Sequence, residues 1–296
     1  MFKSGFIGII GRPNVGKSTL LNGLMGEKIA ITTHKPQTTR NRITGIRNLQ
    51  NAQLIFMDTP GIHRASTPLN QFMVNVATDT LRTVDILLLL VEAPIGVHRD
   101  DLFIIESLKH ASIPAILIIN KMDLVKKPEL LPLIDEYQHL YSFVSILPMS
   151  ARTGEGMTLL LDEILKILPE GPPYFPEETM TDRSERFIAA EMIREKIILL
   201  THKEIPYVTA VVVDAFKEEA TRPLIHIQAT IHVEKPSQKG ILIGKKGAML
   251  KAIGSKARID MEKFFASRIF LELFVRVQKD WTHDEKMLRE FGYSNQ

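Results

Sequence analysis

Cysteine is absent from all 296 residues, which excludes disulfides and any zinc or iron–sulfur site built on thiolates. Long apolar runs are missing too. The longest, Ile86 to Val91, falls far short of the ~20 residues that a membrane-spanning helix needs. The opening MFKSGFIGIIG has neither the apolar length nor the small-residue cleavage site of a signal peptide, so the expected compartment is the cytoplasm. No internal repeat is present. Nor does one sign of charge dominate: 37 Lys and Arg face 34 Asp and Glu. With 45% hydrophobic and 24% charged residues the chain is globular, and its length suits two ordinary domains.

Charge is nevertheless placed unevenly. From Lys235 to Arg268 nine basic residues stand against two acidic ones. Such a block is either a solvated helix face or the footprint of an anionic polymer.

Along the first ~170 residues, apolar runs of strand length (Phe6–Ile10, Leu54–Met57, Ile86–Val91, Ala115–Ile119, Val144–Pro148) alternate with helical patterns (Ser18–Met25, Asp100–Lys109, Leu130–Tyr141, Met157–Leu168). That order predicts a parallel-rich sheet wrapped by helices. Four prolines within PEGPPYFP, from Pro169 to Pro176, then break regular structure. Beyond them the pattern becomes a helix at Ser184–Leu200, strands at Tyr207–Val213, Ile225–Val233 and Ile269–Val277, helical segments at Ala248–Ile253 and Lys256–Ala266, and a last helix at Thr282–Glu290. The expected division is an α/β domain over 1–172, a linker over 173–183 and a smaller α+β domain of α-β-β-α-α-β order over 184–296.

Gly11-Arg-Pro-Asn-Val-Gly16-Lys17-Ser18 is a full G-x-x-x-x-G-K-[ST] phosphate loop, set between a strand and a helix as the motif requires. Backbone N–H groups from Asn14, Val15, Gly16, Lys17, Ser18 and Thr19 would converge on phosphates. Lys17 would span the β and γ oxygens, and the Ser18 hydroxyl would ligate Mg²⁺. DTPG at Asp58, Thr59, Pro60 and Gly61 follows a strand, so Asp58 would reach the metal through water and Gly61 would offer its N–H to the γ-phosphate. NKMD at Asn120, Lys121, Met122 and Asp123 ends another strand. A carboxylate at Asp123 would accept from N1–H and the 2-amino group of guanine, a donor pair that adenine lacks. Ser150, Ala151 and Arg152 would add a backbone N–H for the guanine carbonyl. Each tetrapeptide is weak alone; their order, each at the C-terminal end of a strand, points to GTP or GDP.

In these motifs the chain resembles the translation-factor-related GTPases, and over nearly its whole length it resembles the Era family, bacterial P-loop GTPases with a C-terminal type II KH domain that binds RNA. The resemblance implies a first switch at Gln37, Thr38, Thr39 and Arg40, with Thr39, or alternatively Thr38, joining the Mg²⁺ shell. The second switch would run from Asp58 through Thr59, Pro60 and Gly61 to Ile62. Ile62 stands where many GTPases carry a water-orienting glutamine, and an isoleucine cannot do that work. Slow intrinsic GTP hydrolysis is therefore expected. Asn14 either shapes the loop or, as in related enzymes, helps to hold a stimulating K⁺ ion.

In the second domain Gly244-Lys245-Lys246-Gly247 is a G-x-x-G between an apolar helix-like run and a helix. A KH domain clamps about four nucleotides of backbone with such a loop. The expected RNA contacts are Lys239, Gly240, Ile241, Ile243, Gly244, Lys245, Lys246 and Gly247, with Ile241 and Ile243 lining the base groove or serving as plain core. The resemblance implies binding to the single-stranded 3′ end of 16S ribosomal RNA and a role in assembly of the small (30S) subunit by a monomer, with GTP favouring the RNA-bound state. It also implies a regulatory coupling of ribosome maturation to growth or division as the alternative, and weak peripheral association with the inner face of the membrane. A metabolic kinase is disfavoured by NKMD and DTPG, and a dead nucleotide site by the presence of Lys17, Ser18 and Asp58. Two departures stand out: Arg152, where lysine or leucine is common, which should not matter if the backbone is what binds, and the basic stretch Gly96-Val97-His98-Arg99, which has no ready reading.

Overall fold

The structure is a computed structural model, and it describes residues 1–61, 67–109 and 113–293. Two compact units divide the chain: Met1–Ala30, Thr39–Ala65 and Met73–Asp182 form the first, while Ile31–Thr38, Ser66–Phe72 and Arg183–Gln296 form the second.

The first unit runs β1 (Lys3–Gly11), α1 (Lys17–Met25), β2 (Ile43–Leu49), β3 (Ala52–Asp58), β4 (Ile86–Glu92), α3 (Arg99–Leu108), β5 (Ala115–Asn120), α4 (Lys127–Leu140), β6 (Ser145–Pro148) and α5 (Met157–Ile167), with most of α2 (Pro68–Thr80) before β4. Its six strands are ordered β2-β3-β1-β4-β5-β6. All neighbours are parallel except β2 and β3. Every residue of β3, β4 and β5 is buried, as expected for parallel strands covered on both faces.

Two elements here were not read from the sequence. In β2, Gly45, Arg47 and Asn48 interrupt the apolar run, and the strand survives because it closes a hairpin onto β3 at the sheet's edge. In α2, threonines and β-branched valines weaken helix propensity. The Thr78 and Thr80 hydroxyls bond back to the Val74 and Val76 carbonyls at 2.9 Å each, inside the helix.

The proline-rich segment is bound to this unit. Gln53 Oε1 accepts from the Tyr174 and Phe175 amides at 2.7 and 3.0 Å, the Ile46 amide donates to the Met180 carbonyl at 2.8 Å, and Thr44 Oγ1 donates to Asp182 at 3.0 Å. Prolines leave this segment few backbone N–H groups and no regular element, so a side chain and a strand edge supply the pairing.

In the second unit α6 (Glu185–Leu200), β7 (Ala210–Glu218), β8 (Leu224–Val233), α7 (Pro236–Ile243), α8 (Ala248–Phe264) and β9 (Arg268–Val277) give the α-β-β-α-α-β order of a type II KH domain. The sheet runs β7-β8-β9, antiparallel then parallel. Ile193 and Ile197, Ile227 and Ile231, Leu242, and Ile253 and Met261 build its core. The expected pair of helices at 248–253 and 256–266 is one continuous helix, and the other helix of the pair is α7. Gly254 looks like a breaker in the sequence. In the fold it lets α8 approach β9, since a Cβ there would meet Leu273 Cδ1 at 3.3 Å.

A 3-10 turn over Trp281–His283 precedes α9 (Glu285–Glu290). The single tryptophan is fully buried, stacks on Tyr293 with centroids 5.8 Å apart, and donates its indole N–H to Val208 O at 2.8 Å. The C-terminal segment is therefore a packed cap on this domain.

Candidate functional site

Strand ends bring the motifs to one edge of the first sheet. Gly11, Asp58, Glu92 and Asn120 are the last residues of β1, β3, β4 and β5. Register aligns them, with Ile9 opposite Asp58 and Glu92 opposite Asn120. The edge is the C-terminal one, at the point where β1 has β3 on one side and β4 on the other.

After β1 the chain curls into α1 through Gly16, at φ 104°. A Cβ on Gly16 would lie 2.4 Å from Asn120 Nδ2, so only glycine lets the phosphate loop lie against the NKMD asparagine. No side chain caps α1 and its first turn holds no acid, which leaves the amides and the positive end of the dipole for an anion. Lys17 Nζ donates to Gly11 O at 3.0 Å and Arg12 O at 2.9 Å. Burial, reinforced by Arg12 and opposed by Asp58, lowers the Lys17 pKa from 10.5 to about 8.

Ser18 Oγ donates to Asp58 Oδ2 at 2.6 Å and lies 2.9 Å from Thr39 Oγ1, which is 3.4 Å from the same carboxylate oxygen. Of the two threonines the structure brings Thr39 to Ser18 and Asp58. Thr38 Oγ1 instead meets Thr33 Oγ1 at 2.6 Å and Lys35 O at 2.7 Å. Asp58 is fully buried, and burial pushes its pKa up from 3.8 to about 6 against the opposing pull of Lys17. Its Oδ1 is buried without a hydrogen-bond partner, a costly state that a hydrated cation would relieve. Hydroxyl and carboxylate oxygens suit a hard divalent ion. Among the described residues no cluster of three or more His, Cys, Asp or Glu could hold a metal. Thr59 Oγ1 donates to Ile9 O at 2.8 Å, and a Cβ on Gly61 would lie 2.6 Å from Pro13 N. Ile62 lies outside the described residues. Gln37 donates to Asn70 Oδ1 at 3.2 Å within the second unit, while Arg40, in the first, is fully buried.

The base motifs interlock. Asn120 Nδ2 donates to Val15 O at 2.7 Å and Asn120 Oδ1 accepts from the Ala151 amide at 2.9 Å. Lys121 Nζ donates to Asn14 O at 2.8 Å and to Glu92. Asp123 accepts from Ser150 Oγ at 2.7 Å and from Arg152 Nη2 at 2.6 Å. The Ser150 hydrogen bond, with the Arg152 charge, holds the Asp123 pKa below the usual carboxylate range. A carboxylate has about four lone-pair sites, so Asp123 keeps acceptor capacity for a ligand. Arg152 thus enters the site through its side chain, which holds Asp123.

Behind these motifs lies a buried network that the sequence did not reveal. Arg12 Nε donates to Asp101 Oδ1 at 2.7 Å and its Nη2 lies 3.9 Å from Glu92, the partner of Lys121. Tyr137 OH donates to Asp101 Oδ2 at 3.2 Å. His98 caps α3: its Nδ1 accepts from the Asp100 amide at 3.1 Å and its own amide donates to Asp101 at 3.3 Å. This accounts for part of the unexplained basic stretch.

In the second unit α7 stops at Gly244, at φ 71°, where a Cβ would lie 2.9 Å from Met249 N. Lys245 and Lys246 stand exposed in the turn before α8. Beside it is a cleft of about 600 Å³ lined by Gly247, Leu250, Lys251, Gly254 and Arg258 from the α8 side and by Ile269, Leu271 and Leu273 from β9. Lys239 and Gly240 lie on α7. Ile241 is exposed, Ile243 is half-buried and neither lines this cleft; Leu242 between them is the buried one. The signal that would have found the lining is helical: residues 247, 251, 254 and 258 fall on one face.

Fold and site together define a P-loop GTPase domain joined to a KH domain. The family described as 50S ribosome-binding GTPase matches residues 6–121, and the KH domain family matches residues 204–282. The GTPase Era of Syntrophus aciditrophicus is 71% identical over 99% of this chain and 96% of its own length, and that of Geobacter metallireducens is 56% identical over 99% and 98%. Among solved structures, Era in complex with MgGDPNP and nucleotides 1506–1542 of 16S ribosomal RNA superimposes with a TM-score of 0.97 at 40% identity, covering 100% of both chains. A variant of Aquifex aeolicus Era bound to GDP·AlF₄⁻ gives 0.95 at 39% identity, covering 99% of this chain and 100% of that one. The chain belongs to the Era family of GTPases.

Proposed function

We propose that this GTPase, working as a cytoplasmic monomer, binds the 3′ end of 16S ribosomal RNA in its KH cleft and acts in assembly of the small ribosomal subunit. GTP favours the RNA-bound state and hydrolysis releases it. The domain limits 1–172, 173–183 and 184–296 belong to the same reading. The observation that carries it is the convergence of Lys17, Ser18, Thr39 and Asp58 with Asn120, Asp123 and Ser150 along one sheet edge, in a chain that also carries a GxxG cleft flanked by lysines. The identity of the RNA is supported by the relative solved with a 16S segment.

In this reading the amides of α1's first turn and Lys17 bind the phosphates, and Asp123, with a backbone N–H of the Ser150–Arg152 stretch, reads guanine. Ser18, Thr39 and Asp58, the last through water, hold Mg²⁺, which when bound neutralises charge developing on the phosphates. Phosphoryl transfer is governed by positioning and electrostatics, so turnover is slow with Ile62 at the second switch. Asn14, exposed and at φ 67° beside the loop, would help to hold a K⁺ ion. Weak contact with the inner membrane face belongs to the same reading; among the described residues no helix is long and apolar enough to cross a membrane.

The test is GTP hydrolysis in KCl and in NaCl, with and without an oligonucleotide of the 16S 3′ end. RNA should stimulate the parent and leave a Gly247→Asp variant unmoved, and KCl should outpace NaCl. Gly247 is the better control position because a Cβ there meets nothing within 4 Å, whereas one at Gly244 strikes Met249. Turnover indifferent to RNA would sink the coupling, and equal rates in the two salts would sink the K⁺ site.

A further inference from the structure

The phosphate-loop motif leaves residue 12 open, yet an arginine is buried there among Glu92, Asp101 and Tyr137, the last two with no exposed surface. The four side chains come from different elements. Arg12 follows β1, Glu92 ends β4, Asp101 lies in the first turn of α3 and Tyr137 in the last turn of α4. Asp101 is held from three sides: its Oδ1 accepts from Arg12 Nε at 2.7 Å, and its Oδ2 accepts from the Tyr137 hydroxyl at 3.2 Å and the His98 amide at 3.3 Å. The arginine is thereby pinned to two helices that lie outside the nucleotide motifs.

Arg12 also stands between the two lysines of the site. Its carbonyl accepts from Lys17 Nζ at 2.9 Å. Its Nη2 lies 3.9 Å from Glu92 Oε2, while Glu92 Oε1 accepts from Lys121, which also donates to Asn14 O at 2.8 Å. As a means of holding a fold this cluster is costly. Burial raises the Asp101 pKa against the pull of Arg12, and Arg12 Nη2 is buried with no hydrogen-bond partner among the described residues. Apolar residues of similar volume commonly stabilise a core as well as a buried ion pair does, or better. What they cannot do is hold Glu92, and through it the Lys121 ammonium, in a set place.

We infer that Arg12 is a positioning residue for the nucleotide: clamped by Asp101 and Tyr137, it sets the span between the phosphate half and the base half of the site, through its carbonyl on one side and Glu92 on the other. The inference rests on the guanine-nucleotide reading of the site. A ligand that engages both halves gains from a preset span, because its second contact is then made at high effective concentration. A ligand that engages one half gains nothing from it. GDP is of the first kind, and GMP, which lacks the β-phosphate, is mainly of the second. A loosened span is therefore read as a drop in the preference for GDP over GMP. Loss of folded protein lowers both affinities in proportion and leaves that preference alone.

The experiment measures GDP and GMP affinities of the full chain by displacement of a fluorescent GDP. Arg12→Met/Asp101→Leu/Tyr137→Phe, which replaces the cluster by apolar groups of similar size, should lower the preference for GDP over GMP at least about tenfold. Urea unfolding followed by circular dichroism should show this variant to be as stable as the parent or more so. Tyr137→Phe alone keeps both charges and loosens only the clamp; it should move the preference the same way by a smaller factor, and it carries the test if the triple variant does not fold. Arg12→Lys, which offers a point charge in place of a fork, should fall between the parent and the triple variant. In a Glu92→Gln background the triple replacement should lower the preference no further. An unchanged preference in the folded variants overturns the inference, whether both affinities hold or both fall by one factor. A full further loss in the Glu92→Gln background overturns the route through Glu92. Failure of the parent to bind GDP overturns the nucleotide reading and the inference together.

Discussion

In the proposed reading Asp123 would meet guanine with a carboxylate already fixed by Ser150 and Arg152, so specificity would rest on one side chain whose chemistry can be inverted. Asp123→Asn keeps the shape but places a donor where guanine presents donors. Two hydrogen bonds to a charged acceptor are lost, and GTP affinity should fall at least about a hundredfold. Xanthine offers a carbonyl in place of the 2-amino group, so the variant should gain XTP; competition binding with both nucleotides checks this. Lys17 and Asp58 set a pH window. Lys17, lowered to about 8, loses its charge above that value, and a bound phosphate favours the charged form, so affinity for GDP without Mg²⁺ should fall as pH rises through about 8. Asp58, raised to about 6, is neutral below that value, so Mg²⁺ dependence should weaken as pH falls through about 6. For the empty fold the same shifts are penalties near pH 7. The Lys17 contribution to stability is complete only above 10.5 and is lost as pH falls through about 8; that of Asp58 is complete only below 3.8 and is lost as pH rises through about 6. Fluorescent GDP titrations from pH 5 to 9 read both limbs, and Lys17→Arg should remove the alkaline one. These residues were legible because each sits inside a contiguous motif. The partners of Arg12 were not, since Asp101 and Tyr137 lie 89 and 125 positions away in the chain and no local spacing links them.

The GxxG turn places unequal demands on its two glycines. Gly244 adopts φ 71° and ψ 176°, a conformation nearly closed to other residues, and has Met249 N and Cβ within 3 Å of a built Cβ. Gly247 is left-handed, at φ 78° and ψ 8°, with open space around it. Gly247→Ala should therefore cost about 1 kcal/mol, and Gly244→Ala about 3 kcal/mol once strain and the clash with Met249 combine. Trp281, the only tryptophan and buried in this domain, reports the loss in urea unfolding. Equal effects would refute the geometry. At this scale the buried parallel strands were readable from their unbroken apolar runs. Elements whose stability comes from elsewhere were not: β2 lives on its pairing with β3, and α8 passes through Gly254 because Leu273 needs the room.

Over the whole molecule the boundary between the two compact units falls inside the segment read as the first switch. Thr39 stands with Ser18 and Asp58 in the first unit, while Ile31–Thr38 belongs to the second. There the Thr32 amide donates to Glu195 Oε1 at 3.1 Å, Lys35 Nζ donates to Ile198 O at 2.6 Å, and Arg194 donates to the Thr38 carbonyl. Nothing in the sequence marks this division, because Lys35 and Ile198 are 163 positions apart. The physical consequence is that Thr39, which would feel the γ-phosphate, is one peptide bond from a segment held by α6 of the KH domain. A nucleotide-dependent shift at Thr39 would thus reach α6 through the chain or be resisted by it, and linkage would make the effect reciprocal. If a GTP analogue tightens RNA binding over GDP by some factor, RNA must raise the preference for the analogue over GDP by the same factor. Coupling energies of this kind commonly span about 5- to 150-fold. Lys35→Ala, which removes the bonds to Ile198 and Thr201 without touching a nucleotide contact, should shrink that factor toward one while leaving RNA affinity in the GDP state unchanged. Titrating the 16S oligonucleotide against the GDP and analogue forms, and each nucleotide against free and RNA-bound protein, closes the square for parent and variant. A coupling factor unmoved by Lys35→Ala would rule out this segment as the connection.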